Sequence, residues 1–272
     1  MNDLLANQTV LRLGAFAGVF AAMAAWEVLA PRRPRPLPRR GRWPGNLGIV
    51  VLDTLALRVI FPVTAVAWAA AIEAKGIGLL PLAGLSGPWL VAVAAVLLDL
   101  AIWAQHVVFH HVPVLWRLHR MHHADLDLDV TSGARFHPIE ILLSMAIKFA
   151  VIALLGAPPL AVLLFEVLLN ACAMFNHANV RLPAPLDALL RAVLVTPDMH
   201  RVHHSVRRDE TDSNFGFCLA WWDRMFGTYR AAPAAGQLGM TIGLTAFRDP
   251  GEQRLDRMLT QPFRDDQTDA AP

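Results

Sequence analysis

The chain is predicted to be all-α: a polytopic membrane bundle of about four to five membrane helices, with a cytoplasmic helical cap carrying a dinuclear metal site. Three observations predict this. Of the 272 residues, 55% are hydrophobic and the mean hydropathy is +0.42, whereas soluble domains hold about 45–50% apolar residues even when glycine is counted. Five runs are almost free of charge. All eleven histidines fall between positions 106 and 204, most of them in three tight clusters.

A transmembrane helix needs about 20 apolar residues, with a usual range of about 17–25. Leu11–Ala30 and Leu47–Ala71 meet that length directly. Trp89–Ala104 meets it when extended back through Leu79–Pro88 or forward into the histidines. Ile139–Gly156 and Leu160–Phe175 are slightly short and are joined by Gly156-Ala157-Pro158-Pro159, a breaker that predicts a helical hairpin. The first run is expected to remain as an anchor helix, because its positive residues follow the apolar stretch, whereas a signal peptide carries them before it. From about Phe247 the chain turns polar and acidic (Asp249, Glu252, Asp256, Asp265, Asp266, Asp269), predicting a short helix near Pro250–Thr260 and then disorder. The expected division is an anchor helix with a basic loop over 1–45, a membrane-embedded unit over 46–246 and a polar tail over 247–272. No internal repeat of 20–50 residues is present.

The net charge of +2 is uninformative, but its placement is not: Arg32, Arg33, Arg35, Arg39, Arg40 and Arg42 crowd the loop after the first run. Cytoplasmic loops carry such an excess, which puts this loop inside and the N-terminus outside. The second helix then runs outward and the third returns, bringing His106 and His110 to the cytoplasmic face. The hairpin starts and ends on that face, so His177 and the His200 cluster join them. With only Cys172 and Cys218 available, a disulfide framework is not expected, in keeping with a reducing compartment. No nucleic-acid partner is expected.

Histidine is the commonest side-chain ligand of transition metals. His106 and His110 lie one turn apart at i and i+4 and can face one ion. His119 and His122 converge at i and i+3, with His123 turned by about 100°, so this triplet can serve two neighbouring ions. His200, His203 and His204 repeat the pattern. Eight imidazoles exceed one coordination sphere and suit two. His177, at the cytoplasmic end of the hairpin, is taken as a ninth ligand. His111 is expected to face away in a structural or interfacial role, and His137 to act behind the ligands or at a helix start. There are no usable thiols, no Glu-x-x-His pairs of carboxylate-bridged bundles and no His-Glu-x-x-His. An imidazole-rich dinuclear centre remains, and spacing alone leaves iron and zinc both open. Asp125, Asp127, Asp129, Asp198 and Asp223 are candidates to accept N–H bonds from the ligands, with Asp198 and Asp223 favoured.

These residues resemble the fatty acid hydroxylase and sterol desaturase superfamily over roughly residues 43–230. The likeness rests on Asp99 through His110, Pro113 through His123, Arg135-Phe136-His137-Pro138, Phe175-Asn176-His177-Ala178-Asn179-Val180 and Pro197 through His204. Asn214-Phe215-Gly216 and Trp222-Asp223-Arg224-Met225-Phe226-Gly227-Thr228-Tyr229 complete it. Many relatives have an arginine after the first histidine of the pair, where this chain has Val107; the ligand spacing is unchanged. The resemblance implies an integral membrane enzyme with a non-haem di-iron centre on the cytoplasmic face. Such an enzyme uses O2 and two electrons to hydroxylate or desaturate a C–H bond of a lipid of sterol or fatty acyl type. His106, His110, His119, His122, His123, His200, His203 and His204 match the eight-histidine motif, and His177 resembles an additional ligand. Trp103, Phe109 and the 139–175 hairpin are expected to line the lipid channel. The chain carries no Gly-x-Gly-x-x-Gly and no cysteine set for a cluster, so a separate donor protein of ferredoxin or cytochrome type is expected on the basic face. Two other classes compete. A membrane zinc hydrolase would differ in metal content and O2 dependence. A bis-histidine haem protein would need its pairs deep within opposing helices rather than at helix ends.

Overall fold

A computed structural model describes residue 5 and residues 7–265. The helices, in chain order, are α1 (Gln8–Leu29), α2 (Arg39–Ile60), α3 (Ala65–Ala74), α4 (Leu79–Leu82), α5 (Gly87–His111), α6 (Pro113–His123), α7 (Pro138–Leu155) and α8 (Pro159–His177). The smaller α9 (Ala184–Leu190), α10 (Pro197–His203), α11 (Arg208–Thr211), α12 (Trp221–Met225), α13 (Gly236–Gly239) and α14 (Leu255–Thr260) follow. Among the described residues there is no strand, only three isolated β-bridges. Helices α1, α5, α7 and α8, and the stretch Arg39–Leu82 that holds α2, α3 and α4, are long and apolar enough to cross a membrane. At about 1.5 Å per residue the shortest, with 18, reaches about 27 Å. The all-α class with five candidate membrane spans, read from the sequence, therefore holds.

Each long helix follows from local signals, with one difference from expectation. The run Leu47–Ala71 is not one helix. It breaks at Phe61–Thr64, because Pro62 cannot donate a helical hydrogen bond and pushes Phe61 out of the helical region. The Thr64 hydroxyl then caps α3 by accepting from the Ala67 N–H at 3.1 Å. The third run extends forward to His111, while Leu79–Leu82 forms the separate α4. The hairpin forms as expected. Gly156 ends α7 in the left-handed region (φ 68°), which glycine tolerates best, and Pro159 opens α8. The loop before α4 packs onto this turn so closely that a Cβ on Gly78 would lie 2.2 Å from the Gly156 Cα.

The bundle core lies between α3, α5, α7 and α8, where Ala69, Ala94, Ile152, Ala161 and Val162 are buried. Val10, Leu13, Val51, Leu55, Val59, Leu164 and Leu168 are exposed, an apolar outer surface suited to lipid. All five long helices bring one end to a common layer: the C-terminal ends of α1, α5 and α8 and the N-terminal ends of α2 and α7. The short helices cover that layer.

The basic loop is largely turned inward. Arg42 is fully buried, Arg32 pairs with Asp198, and Arg35 and Arg39 both donate to Glu27 at 2.9 Å. Arg33 binds the carbonyls of Gln237 and Met240. Arg40 is the exposed one of the six. Glu27 also accepts from the backbone N–H of Val130 and Asn179, so the first helix is tied into the histidine layer. The C-terminal segment is tied in as well. A 3-10 turn (Pro250–Gln253) and α14 occupy the span expected to be helical, Met258 packs with Ile49 and Met121, and Gln253 donates to the Ala124 carbonyl. The ordered path continues through a second turn, Gln261–Phe263. The expectation for Asp266, Asp269 and the final residues lies outside the described residues.

Candidate metal centre

Three pieces of chain deliver the imidazoles. α5 ends with His106 and His110 one turn apart, and α6 starts after Val112 with Pro113 in its first turn, folding back so that His119, His122 and His123 face them. α8 ends with His177, and the single-turn-plus α10 supplies His200 and His203, with His204 at its C-cap. The nine rings sort into two groups: His106, His110, His119, His123 and His203, and His122, His177, His200 and His204. Each triplet divides two and one between the groups, as expected, but the pairing differs from that read from the spacing, since His119 shares its group with His123 and not with His122. Within a group the potential ligand atoms lie within 4.8 Å of one another, and all nine residues are buried.

The hydrogen bonds fix which nitrogen points inward. The Nδ1–H of His106 donates to the Phe215 carbonyl (2.7 Å), that of His122 to Arg135 (3.0 Å), that of His177 to Ala173 (2.7 Å) and that of His203 to Ser213 (2.8 Å). A carbonyl can only accept, so the proton sits on Nδ1 and Nε2 keeps its lone pair. His119 Nδ1 donates to Glu140 Oε1 at 2.7 Å and His110 Nδ1 to Asp212 Oδ1 at 3.2 Å. His123 makes a weaker 3.5 Å contact with the Thr211 hydroxyl. The Nε2 atoms then crowd together: 3.0 Å between His106 and His119, 3.1 Å between His110 and His123, and 3.2 Å from His177 to each of His122, His200 and His204.

Lone pairs facing one another this closely repel unless an electrophile lies between them. A metal bound at about 2.0–2.1 Å from each nitrogen would hold opposite ligands about 4.2 Å apart, within the spread observed. Buried atoms without a partner lie on the same rings: His203 Nε2, His200 Nδ1 and His204 Nδ1. Burial pushes the imidazoles of His122, His123, His200, His203 and His204 well below their ordinary pKa, helped by the neighbouring rings, and takes His119 to about 3. These rings are neutral at physiological pH, the form that binds metal. The donor set thus fits two transition-metal ions held by imidazole alone.

Several sequence expectations shift. None of the five nominated aspartates accepts from a histidine. Asp198 pairs with Arg32 and Arg201, and Asp125 and Asp129 take the Arg42 guanidinium. The Asp127 carboxylate accepts from the neighbouring Leu128 N–H. Asp223 acts one step back: it accepts from Trp103 Nε1, Thr228 Oγ1 and the N–H groups of Phe215 and Gly216, and so holds the carbonyl that His106 uses. The carboxylates that do orient rings, Glu140 and Asp212, were missed. Glu140 had a readable signal, since an acid in the first turn of an otherwise apolar membrane helix needs a partner. His137 starts α7 by accepting from the Ile139 N–H at 3.2 Å, and His111 is exposed, outside both groups.

A cavity of about 410 Å³ opens beside the first group, lined by His106, His119, Phe109, Phe136, Glu140 and residues of α1, α2, α7 and α8. Its size is that of a small-molecule site. Trp103 does not line it; that ring stacks on Phe226 and packs with Phe215 and Trp222. Because Glu140 Oε1 holds His119 while Oε2 has no partner, Glu140→Gln is expected to weaken metal retention about 10–100-fold. A chelator titration measures this, with Asp198→Asn, whose carboxylate bonds to Arg32 and Arg201 and to no ring, expected to leave retention unchanged.

Comparison with known proteins gives a consistent picture. Residues 91–228, half of the chain, match the fatty acid hydroxylase family model, a span that contains all nine imidazoles. The chain is 31% identical over 174 residues to an ornithine lipid hydroxylase from Rhizobium tropici, covering 64% of this chain and 50% of that one. It is 27% identical to alkylglycerol monooxygenase from Homo sapiens (59% and 35%) and 27% identical to cholesterol 25-hydroxylase from Rattus norvegicus (76% and 67%). The matched stretch thus spans from about a third to two thirds of these relatives. No solved structure matches significantly.

Proposed function

The chain belongs to the fatty acid hydroxylase family, and from that premise we propose that it is an O2-dependent non-haem di-iron oxidoreductase that hydroxylates or desaturates a C–H bond of a membrane lipid. The observation that carries this is the convergence of nine neutral imidazoles, in groups of five and four, at the edge of a cavity set among membrane helices. His106, His110, His119, His123 and His203 would hold one iron and His122, His177, His200 and His204 the other. When bound, the iron pair would supply the O2-reducing chemistry that oxidises the C–H bond.

The chain's own part is placement and exclusion of water. The carbonyls of Phe215, Arg135, Ala173 and Ser213 and the carboxylates of Glu140 and Asp212 fix ring orientation before any metal arrives. The Asp223 clamp on Phe215–Gly216 keeps His106 from turning. His106 and His119 present the first group to the cavity, where Phe109, Phe136 and Phe217 form an apolar wall that would press a lipid chain against it. The relatives are named for ornithine lipid, alkylglycerol and cholesterol, so a lipid substrate is the common denominator. The arginine-rich loop beside the imidazole layer supports a cytoplasmic position for that layer. Electrons would come from a separate donor protein of ferredoxin or cytochrome type.

Comparative lipidomics tests the reading, using cells that carry the chain, cells that lack it and cells that carry His122→Ala. A lipid that gains one oxygen or loses two hydrogens only with the intact chain is expected. Identical profiles in all three, with the protein expressed and metal-loaded, would overturn it.

A further inference from the structure

The cavity has two chemically different ends. One is formed by His106, His119 and Glu140. Eight residues further along α7, about 12 Å at 1.5 Å per residue, Lys148 reaches the same cavity, joined by Arg12 of α1 and by Glu166 and Asn170 of α8. Lys148 is the eleventh of 18 residues in α7 and Glu166 the eighth of 19 in α8. Both therefore sit near mid-membrane depth, where ionisable groups are costly and mark functional sites.

This cluster does not neutralise itself. Glu166 Oε1 accepts from Lys148 Nζ at 2.9 Å, and Oε2 accepts from the Arg12 guanidinium. Two cations share this one carboxylate, and Asp53, which also lines the cavity, forms no ion pair with either, so the bonded cluster carries one positive charge in excess. An ammonium has three N–H donors and a guanidinium five. Among the described residues, the bonds to Glu166 are the ones these two side chains make. Asn170 donates through its amide nitrogen to the Glu166 backbone carbonyl at 2.8 Å, and its Oδ1 accepts from neither cation. The Lys148 and Glu166 side chains are only 14% and 5% exposed, while Arg12, at 31%, keeps partial contact with solvent. A triad serving only to fasten three helices would gain from balanced charge. Spare donors and an extra cation directed into a ligand-sized cavity instead make a seat for an anion.

We infer that the Arg12–Lys148–Glu166 end of the cavity is a subsite for an anionic group, a carboxylate or phosphate ester, on an amphiphile whose remaining body reaches the imidazole end. The inference rests on the lipid-oxidising reading above and adds the class of substrate. A fixed anchor some 12 Å from Glu140 also determines which carbon comes to rest beside His106 and His119, so the triad sets regiochemistry by positioning.

Equilibrium binding of palmitate and hexadecanol to the metal-loaded full chain in non-ionic micelles tests this. The two share one chain and differ in charge. The wild type is expected to bind palmitate at least tenfold more tightly, with hexadecyl phosphate following palmitate. Lys148→Met and Arg12→Gln should each bring the ratio close to one without changing hexadecanol binding. Equal affinities for the wild type overturn the subsite while leaving a lipid-oxidising site intact, even if the variants fail to fold. Binding of neither amphiphile overturns both. Displacement of palmitate by inorganic phosphate alone assigns the cations to a soluble anion and also overturns the inference.

Discussion

Replacing His177 by alanine is expected to remove one metal ion per chain and abolish turnover, while the equivalent change at His203 removes less metal. The asymmetry follows from group size. His177 is the hub of the four-imidazole group, with its Nε2 3.2 Å from those of His122, His200 and His204. Without it three ligands remain, and the neighbouring rings lose the centre that they converge on. The other group has five, so loss of His203 still leaves His106, His110, His119 and His123, a complete set for a four-coordinate ion. Elemental analysis of purified protein reads this directly: two ions in the wild type, one in His177→Ala, and between one and two in His203→Ala. Loss of both ions from either variant would mean a single shared site and would sink the division into two groups.

That each triplet would serve both groups was legible from the sequence, but the partition was not: spacing puts His119 and His122 near one face and His123 about 100° away, whereas the structure sends His119 and His123 to one group and His122 to the other. The five membrane runs were legible because length and absence of charge admit few alternatives. What stayed hidden depended on contacts between distant segments. The break at Pro62 was visible as a residue but was overridden by the apolar run around it. The aspartates were nominated for proximity in sequence, yet the partners of the ring N–H groups are mostly backbone carbonyls, such as those of Phe215 and Ser213, which composition cannot mark. The arginine loop was read as a surface, whereas Arg32, Arg33, Arg35, Arg39 and Arg42 each meet an acceptor brought from elsewhere in the chain. Nothing in six clustered arginines indicates that Arg42 is the one at zero exposure.

Arg42→Met is therefore expected to be the most destabilising single change outside the imidazoles. The guanidinium donates to both oxygens of Asp125 at 2.7 and 2.6 Å, to Asp129 Oδ2 at 2.7 Å and to the Asp127 carbonyl at 2.6 Å, and all three side chains of the ion network are fully buried. Removing one partner from such a network leaves uncompensated charge and costs about 3–5 kcal/mol. The pH dependence identifies the cause. Burial alone would raise the Asp125 carboxyl, but Arg42 and Arg135 hold it at about 2, below the ordinary value of about 3.9. A depressed carboxylate stabilises the fold above pH 4 and loses that contribution as pH falls from about 4 through 2. Without Arg42, burial dominates and Asp125 retains its proton to higher pH, so the deficit of the variant should be greatest at neutral pH and shrink towards pH 3. Denaturant unfolding at the two pH values measures it. The loop held by Arg42 joins His123 to Glu140 and carries the Arg135 carbonyl that orients His122, so metal retention should fall with stability. Adding Asp125→Asn removes the buried charge left behind and should restore part of both. A deficit independent of pH, or unrelieved by that second change, would show that Arg42 acts by packing alone.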